Sequence, residues 1–206
     1  MRRLLFDLYG LFMKTQTPES KENIERVLHL KEQGISGKDF WRAYRKVRYP
    51  YDTGMISAAE YLRRVGAELG AEFDSVQAFL EADCASWSRQ NDTMVQWLLR
   101  LRSEGIQPAL LSNIPADLLA FIRPTHPWLH NFSPCMFSCE IGFAKPNPEV
   151  FRYACKELHA AAQDVMFFDD TAHNLPGAEE VGMHTHHFLD IEAGKKAAYG
   201  FLAAET

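Results

Sequence analysis

The apolar run Leu4-Leu5-Phe6 stops at Asp7, and Ala109-Leu110-Leu111 repeats that strand pattern before Ser112. A third, Val165-Met166-Phe167-Phe168, ends in Asp169-Asp170. Each reads as a strand buried on both faces with a polar residue at its carboxyl end. That is the grammar of an open parallel sheet, in which ligands bind in the crevice beyond the strand ends. Whatever lies between the first two runs must be housed outside the sheet. The chain is thereby confined to an α/β fold with a long insertion after its first strand.

The inserted text is helical. Residues 3–9 read as the first strand, and from Thr15 to Asp92 no convincing strand follows. Thr17-Pro18 supplies a cap and a first-turn proline ahead of Ile24, Val27, Leu28 and Leu30. A second helix is expected over Asp39–Val47. Ser57-Ala58-Ala59-Glu60 has capping-box spacing and opens a third, with Tyr61, Leu62, Val65 and Leu69. A fourth is expected over 75–88. From Thr93 helix and strand alternate: strands over 107–111, 135–139, 165–168 and 184–188, helices ending near Gly105 and over 115–123, 147–158, 174–181 and 192–202. The reading is a Rossmann-like parallel sheet core, residues 1–14 and 93–206, with residues 15–92 as a helical cap domain.

The 206 residues suffice for a real core with an insert, and 47% hydrophobic with 24% charged residues excludes a disordered chain. A net charge of −5 argues against a nucleic-acid binder. Cys84, Cys135, Cys139 and Cys155 include no CxxC pair, so buried reduced thiols are expected. Met1-Arg2-Arg3 before an apolar run resembles a signal peptide, but Asp7 interrupts it and no small-residue cleavage site follows. No stretch has the length of a membrane span. The expectation is a cytoplasmic protein without membrane or nucleic-acid partners, a monomer or homodimer.

Sheet geometry brings Asp7 beside Asp169 and Asp170. Three converging carboxylates without a counter-charge are unfavourable, and a hard divalent cation resolves this; Mg²⁺ suits carboxylates, waters and a substrate phosphate better than a soft metal does. Two further segments add chemistry: Leu110-Leu111-Ser112-Asn113 a hydroxyl at a strand end, and Ala144-Lys145-Pro146-Asn147-Pro148 an ammonium. Asn113 is placed to offer its backbone N–H to an anion, and Gly10 permits close backbone approach after Asp7.

These segments, FDLYG, LLSN, AKPNPEVF and FFDDTAHNLPGA, resemble in order and spacing the four motifs of the haloacid dehalogenase superfamily, and the helical insert sits where that family carries its C1 cap. The resemblance implies that Asp7 is a nucleophile and that Ser112 bonds a phosphoryl oxygen. It further implies that Lys145 holds Asp7 and the substrate charge together. Asp170 would be a direct Mg²⁺ ligand with Asp169 beside it, the Tyr9 carbonyl another ligand, and Asn174 a support of the metal shell. A carboxylate nucleophile needs positioning and charge neutralisation more than proton removal, which agrees with those roles.

One position departs from the family's phosphatases, which carry a second Asp two residues after the nucleophile to protonate the leaving alcohol. Here it is Tyr9. Its loss costs on the order of 10²–10⁴ in rate where that proton is needed. Tyr there resembles the 2-haloacid dehalogenases, which use no Mg²⁺, yet the chain keeps the Asp-Asp pair those enzymes lack. The leading expectation is a Mg²⁺-dependent phosphatase acting on a small phosphomonoester, a sugar phosphate or similar metabolite, through an aspartyl-phosphate. The alternatives are a dehalogenase-type hydrolase and an inactive binding or regulatory protein.

Other features weigh less. The basic stretch Arg42 to Tyr49 in the cap reads first as a solvated face, with one arginine a candidate to reach substrate. Strand alternation separates His187 from His184 and His186, a poor metal site. His173, in the loop of the last motif, is either a residue that approaches substrate or a plain exposed loop residue, and the four tryptophans read as packing.

Overall fold

The computed structural model describes residues 1–204; Glu205 and Thr206, the end of the expected core segment, lie outside the described residues. Five parallel strands stand in the order β3-β2-β1-β4-β5: β1 Arg3–Phe6, β2 Ala109–Ser112, β3 Cys135–Phe137, β4 Val165–Asp169 and β5 His184–His187. Period-two alternation sorts their side chains into two layers. Leu4, Phe6, Leu110 and Phe168 join one apolar cluster with the helix Asp92–Ser103 (α6), and Leu5, Ala109, Leu111, Val165 and Phe167 join another with Pro148–Leu158 (α9). Both faces of the central strands are therefore covered, which is why they read as unbroken apolar runs.

The insertion after β1 forms five helices, α1 Pro18–Val27, α2 Gly37–Lys46, α3 Tyr49–Asp52, α4 Ala58–Leu69 and α5 Val76–Ser86. They bury a separate cluster that includes Ile24, Phe40, Tyr44, Tyr51, Tyr61, Leu62 and Phe79. The sequence signals for their starts hold at Thr17, whose side chain accepts from the Ser20 N–H, and at Ser57, which accepts from the Glu60 N–H. Glu60 does not return the bond: its carboxylate takes Arg63 and Arg64 instead. α2 starts earlier than expected because Ser36, not Asp39, is its cap.

Three expectations shift. β1 ends at Phe6 rather than at residue 9, because Asp7 Oδ1 accepts from the Leu8 N–H at 2.7 Å and turns the chain. β3 stops at Phe137, and the one-turn helix Ser138–Ile141 (α8) replaces its expected end. α3 had no sequence counterpart. The remaining core helices are Ala116–Ile122 (α7), Leu175–Glu180 (α10) and Ile191–Ala203 (α11). Among the described residues no helix is long and apolar enough to cross a membrane.

Candidate active site

The register builds the centre. Phe6 pairs with Leu110 on one side and Phe168 on the other, so the next residues, Asp7 and Asp169, stand level at the strand ends. The Asp7 N–H continues the ladder to the Phe168 carbonyl at 2.9 Å. Asp7 and Asp169 also share the parity of Leu5 and Phe167, whose face α9 covers. The loop entering α9 carries Lys145, and its ammonium reaches both carboxylates: 2.8 Å to Asp7 Oδ1 and 2.7 Å to Asp169 Oδ2. All three side chains are buried.

Lys145 is held from behind by Asn113. The Asn113 Nδ2–H donates to the Lys145 carbonyl and its Oδ1 accepts from the Lys145 N–H, both at 2.9 Å. Beyond the backbone role assigned from sequence, the Asn113 side chain clamps the lysine's main chain. On the far side Gly177 of α10 lies so close to the Pro146 carbonyl that a Cβ there would overlap it.

Asp169 and Asp170 divide their work. Asp169 is saturated, since besides Lys145 it accepts from the Thr171 N–H at 2.8 Å and from Asn174 Nδ2 at 3.1 and 3.0 Å on its two oxygens. Asp169 and Asn174, expected beside the cation and in support of its shell, bond each other, and Asp169 orients the lysine. Asp170 follows on the opposite parity and packs over Gly10, whose φ is +81° and where a Cβ would collide with the Asp170 carboxylate. Oxygens of Asp7, Asp169 and Asp170 still lie within 4.8 Å of one another, the one such acidic, His or Cys group among the described residues.

The charges are unbalanced, three carboxylates against one ammonium. Burial, with the Asp169 and Asp170 charges, pushes Asp7 up to about 8 against the pull of Lys145. Burial and Asp169 likewise raise Asp170. For Lys145 burial acts downward, but Asp7 and Asp169 outweigh it and keep the ammonium charged. A site that resists ionising its own acids fits a hard divalent cation, which the oxygen-only donor set also favours.

Ser112 ends β2 beside this group. Its hydroxyl is fully buried and has no hydrogen-bond partner. It does not line the cavity that opens over Asp7, a space of about 270 Å³ between core and cap. The core contributes Asp7, Tyr9, Pro115 and Leu118 to its walls, and the insertion contributes Tyr44, Arg45, Arg48, Asp52 and Trp87. Trp87, read from sequence as packing, is a wall residue meeting Tyr9 edge to face at 5.0 Å. Of the cap arginines, Arg42 pairs outward with Asp39 at 2.9 Å. Arg48 is consumed within the cap, 2.8 Å from Asp52 and 3.5 Å from Asp83, its guanidinium over the rings of Tyr44, Tyr51 and Tyr61. Arg45 is exposed and has no ion pair among the described residues. His173 is exposed and outside the cavity walls, and His184 and His186 pack on Phe201 and Phe168.

A carboxylate at the end of the central strand, bridged by a lysine to a second carboxylate and capped by a helical insertion, defines a hydrolase centre of the parallel-sheet type. The chain belongs to the haloacid dehalogenase-like hydrolases, whose family model matches residues 1–182. It is 24% identical over 187 residues to a sesquiterpene phosphatase of Aspergillus oryzae, covering 90% of this chain and 89% of that one. It is 24% identical over 140 residues to the D-ribitol-5-phosphate phosphatase of Bacteroides thetaiotaomicron, covering 65% and 67%. Among solved structures, a haloacid dehalogenase-family enzyme of Bacteroides thetaiotaomicron in complex with magnesium and inorganic phosphate superposes with a TM-score of 0.70. The two chains are 22% identical, covering 90% of this chain and 93% of that one.

Proposed function

We propose that this chain is a Mg²⁺-dependent phosphatase of small phosphomonoesters, with residues 1–14 and 93–206 as catalytic core and 15–92 as specificity cap. The observation that carries the reading is the Asp7–Lys145–Asp169 bridge with Asp170 alongside. Asp7, Asp170 and the Tyr9 carbonyl would hold the cation, which supplies neutralisation of the phosphoryl charge when bound. The Asp7 carboxylate attacks phosphorus, forming an acyl phosphate as the ester P–O bond breaks; the alcohol oxygen leaves with that electron pair and takes its proton from water, since Tyr9 stands where a second carboxyl group would supply it. Water then attacks the same phosphorus and releases Asp7 and inorganic phosphate. Lys145 pulls Asp7 toward its ionised form, which the cation would complete, and meets the phosphoryl oxygens, while Asp169, Asn174 and Asn113 fix the lysine. Ser112, a buried donor with its bond unspent, is assigned to a phosphoryl oxygen. Two phosphatases among the relatives support the reaction class.

Tyr9 favours a second reading, a carbon–halogen hydrolase. Asp170 counts against it, because a second carboxylate beside the nucleophile repels an incoming haloacid anion. Phosphate release from p-nitrophenyl phosphate should require Mg²⁺, stop with excess chelator and fall to background in Asp7→Asn with the circular dichroism unchanged. Turnover of a haloacid in chelator would replace this reading with the second.

A further inference from the structure

The walls of the cavity above Asp7 say what kind of organic group can occupy it. Three rings face the space, those of Tyr9, Tyr44 and Trp87, and Pro115 and Leu118 complete an apolar lining. Of the polar side chains between them, Thr15 and Arg45 are exposed without a side-chain partner among the described residues, and the others are bonded within the protein. The Tyr44 hydroxyl donates to Asp83 Oδ1 at 2.7 Å, and Arg48 binds Asp52. Asn113 is spent on the Lys145 backbone and Asn174 on Asp169. Thr171 Oγ1 turns to Asp170 Oδ1 at 3.3 Å.

A sugar or polyol brings a donor and acceptors on nearly every carbon. Desolvated against these walls, its hydroxyls would find few partners, and a buried hydroxyl without a partner is penalised. An apolar body loses nothing by the same transfer and gains by leaving water. Aromatic faces add offset-stacked or edge-to-face contact for a flat ring. Arg45, exposed at the edge of the cavity, offers charge to an anion and does not alter this balance.

Resting on the phosphatase reading, we propose that the site selects monophosphate esters of small apolar alcohols, aromatic ones foremost, and discriminates against hydroxylated sugar phosphates. Trp87, Tyr44 and Leu118 are the specificity-determining residues. This revises the sugar-phosphate expectation raised by the sequence.

Benzyl phosphate and ribose 5-phosphate are both esters of primary alkyl oxygens, so leaving-group chemistry is matched and the comparison isolates the organic body. With Mg²⁺ present, kcat/KM for benzyl phosphate should exceed that for ribose 5-phosphate by at least ~10²-fold, the scale at which a pocket separates partners by hydrogen-bond mismatch. Ribose 5-phosphate turned over as well as benzyl phosphate or better would overturn the proposal and leave the phosphatase reading standing. Release of phosphate from neither compound, nor from p-nitrophenyl phosphate, would remove both. In Trp87→Ala, folded by circular dichroism, the benzyl-to-ribose ratio should narrow at least tenfold, through KM. A ratio that does not move would take Trp87 out of the recognition surface and refute its assignment.

Discussion

The imbalance of charge around Lys145 predicts that the cation stabilises the fold in a pH-dependent way. Without metal, Asp7 stands at about 8 in the folded protein against 3.8 for a free carboxyl group. The unfolded chain therefore loses this proton first. Between those two values the folded state binds more protons than the unfolded one, so stability falls as pH rises through about 4 to 8. At 1.36 kcal/mol per pKa unit the whole span is worth on the order of 5 kcal/mol as an upper limit. In a chain of this size that is roughly 10–20 °C in Tm. Asp170 is displaced in the same direction, by burial and by Asp169. Mg²⁺ should cancel the penalty by favouring the ionised acids, but at pH 5 it must first displace protons. The assay is a thermal melt at pH 5 and pH 8, each with and without Mg²⁺. The Mg²⁺ increment in Tm should be several degrees larger at pH 8. Taking the difference within each pH removes other buried groups such as Asp52, which the cation does not touch. An equal increment at both pH values, or none at either, would refute the reasoning.

Two substitutions test the supports of the centre. Asn113→Ala leaves both main-chain groups of buried Lys145 without their partners, a loss of about 2–4 kcal/mol in urea unfolding, together with a fall in kcat larger than the change in KM; a loss under ~0.5 kcal/mol would show the clamp to be dispensable. Gly10→Ala combines a φ of +81°, costing about 1–2 kcal/mol for a residue with a Cβ, with a collision against Asp170. The Mg²⁺ concentration for half-maximal activity should rise roughly 10–100-fold, and an unchanged Mg²⁺ dependence would dissociate Asp170 from the cation.

The central strands were legible because burial on both faces leaves apolar runs, and because the runs of β1, β2 and β4 each end in a polar residue. Helix starts at Thr17 and Ser57 were legible because capping is a local interaction. What failed to show was set by distant contacts. α3 is four residues long and includes Pro50, so it carries no periodicity. Tertiary bonds hold it: the Ser138 hydroxyl donates to the Asp52 carbonyl at 2.5 Å, and the Tyr51 hydroxyl donates to Asp117 at 3.0 Å. Asp169 and Asp170 are identical in sequence, and their separate roles follow only from the alternation that turns one to Lys145 and the other to Gly10. Arg42, Arg45 and Arg48 could not be ranked either, since rank depends on how the cap sits on the core.

That seating bears on the selectivity proposed for the seam. The insertion has its own apolar cluster, yet α3 is stitched to the core by Ser138 and Asp117, and Gly54 beyond it lies against the Cys139 carbonyl with no room for a Cβ. These contacts fix the helix that carries Asp52, and through the Arg48–Asp52 pair they fix the Tyr44 end of α2. The walls facing Asp7 are thus aligned by polar bonds among Tyr44, Arg48 and Asp52, which line the cavity beside its apolar surfaces. Tyr44, Arg48 and Asp52 spend polar groups on bonds within the cap and so retain few to offer a polar substrate. On the proposed reading the carboxylates and the lysine keep one purpose, while the seam of cap and core, Tyr44 and Trp87 with Leu118, decides which phosphate ester is held against them.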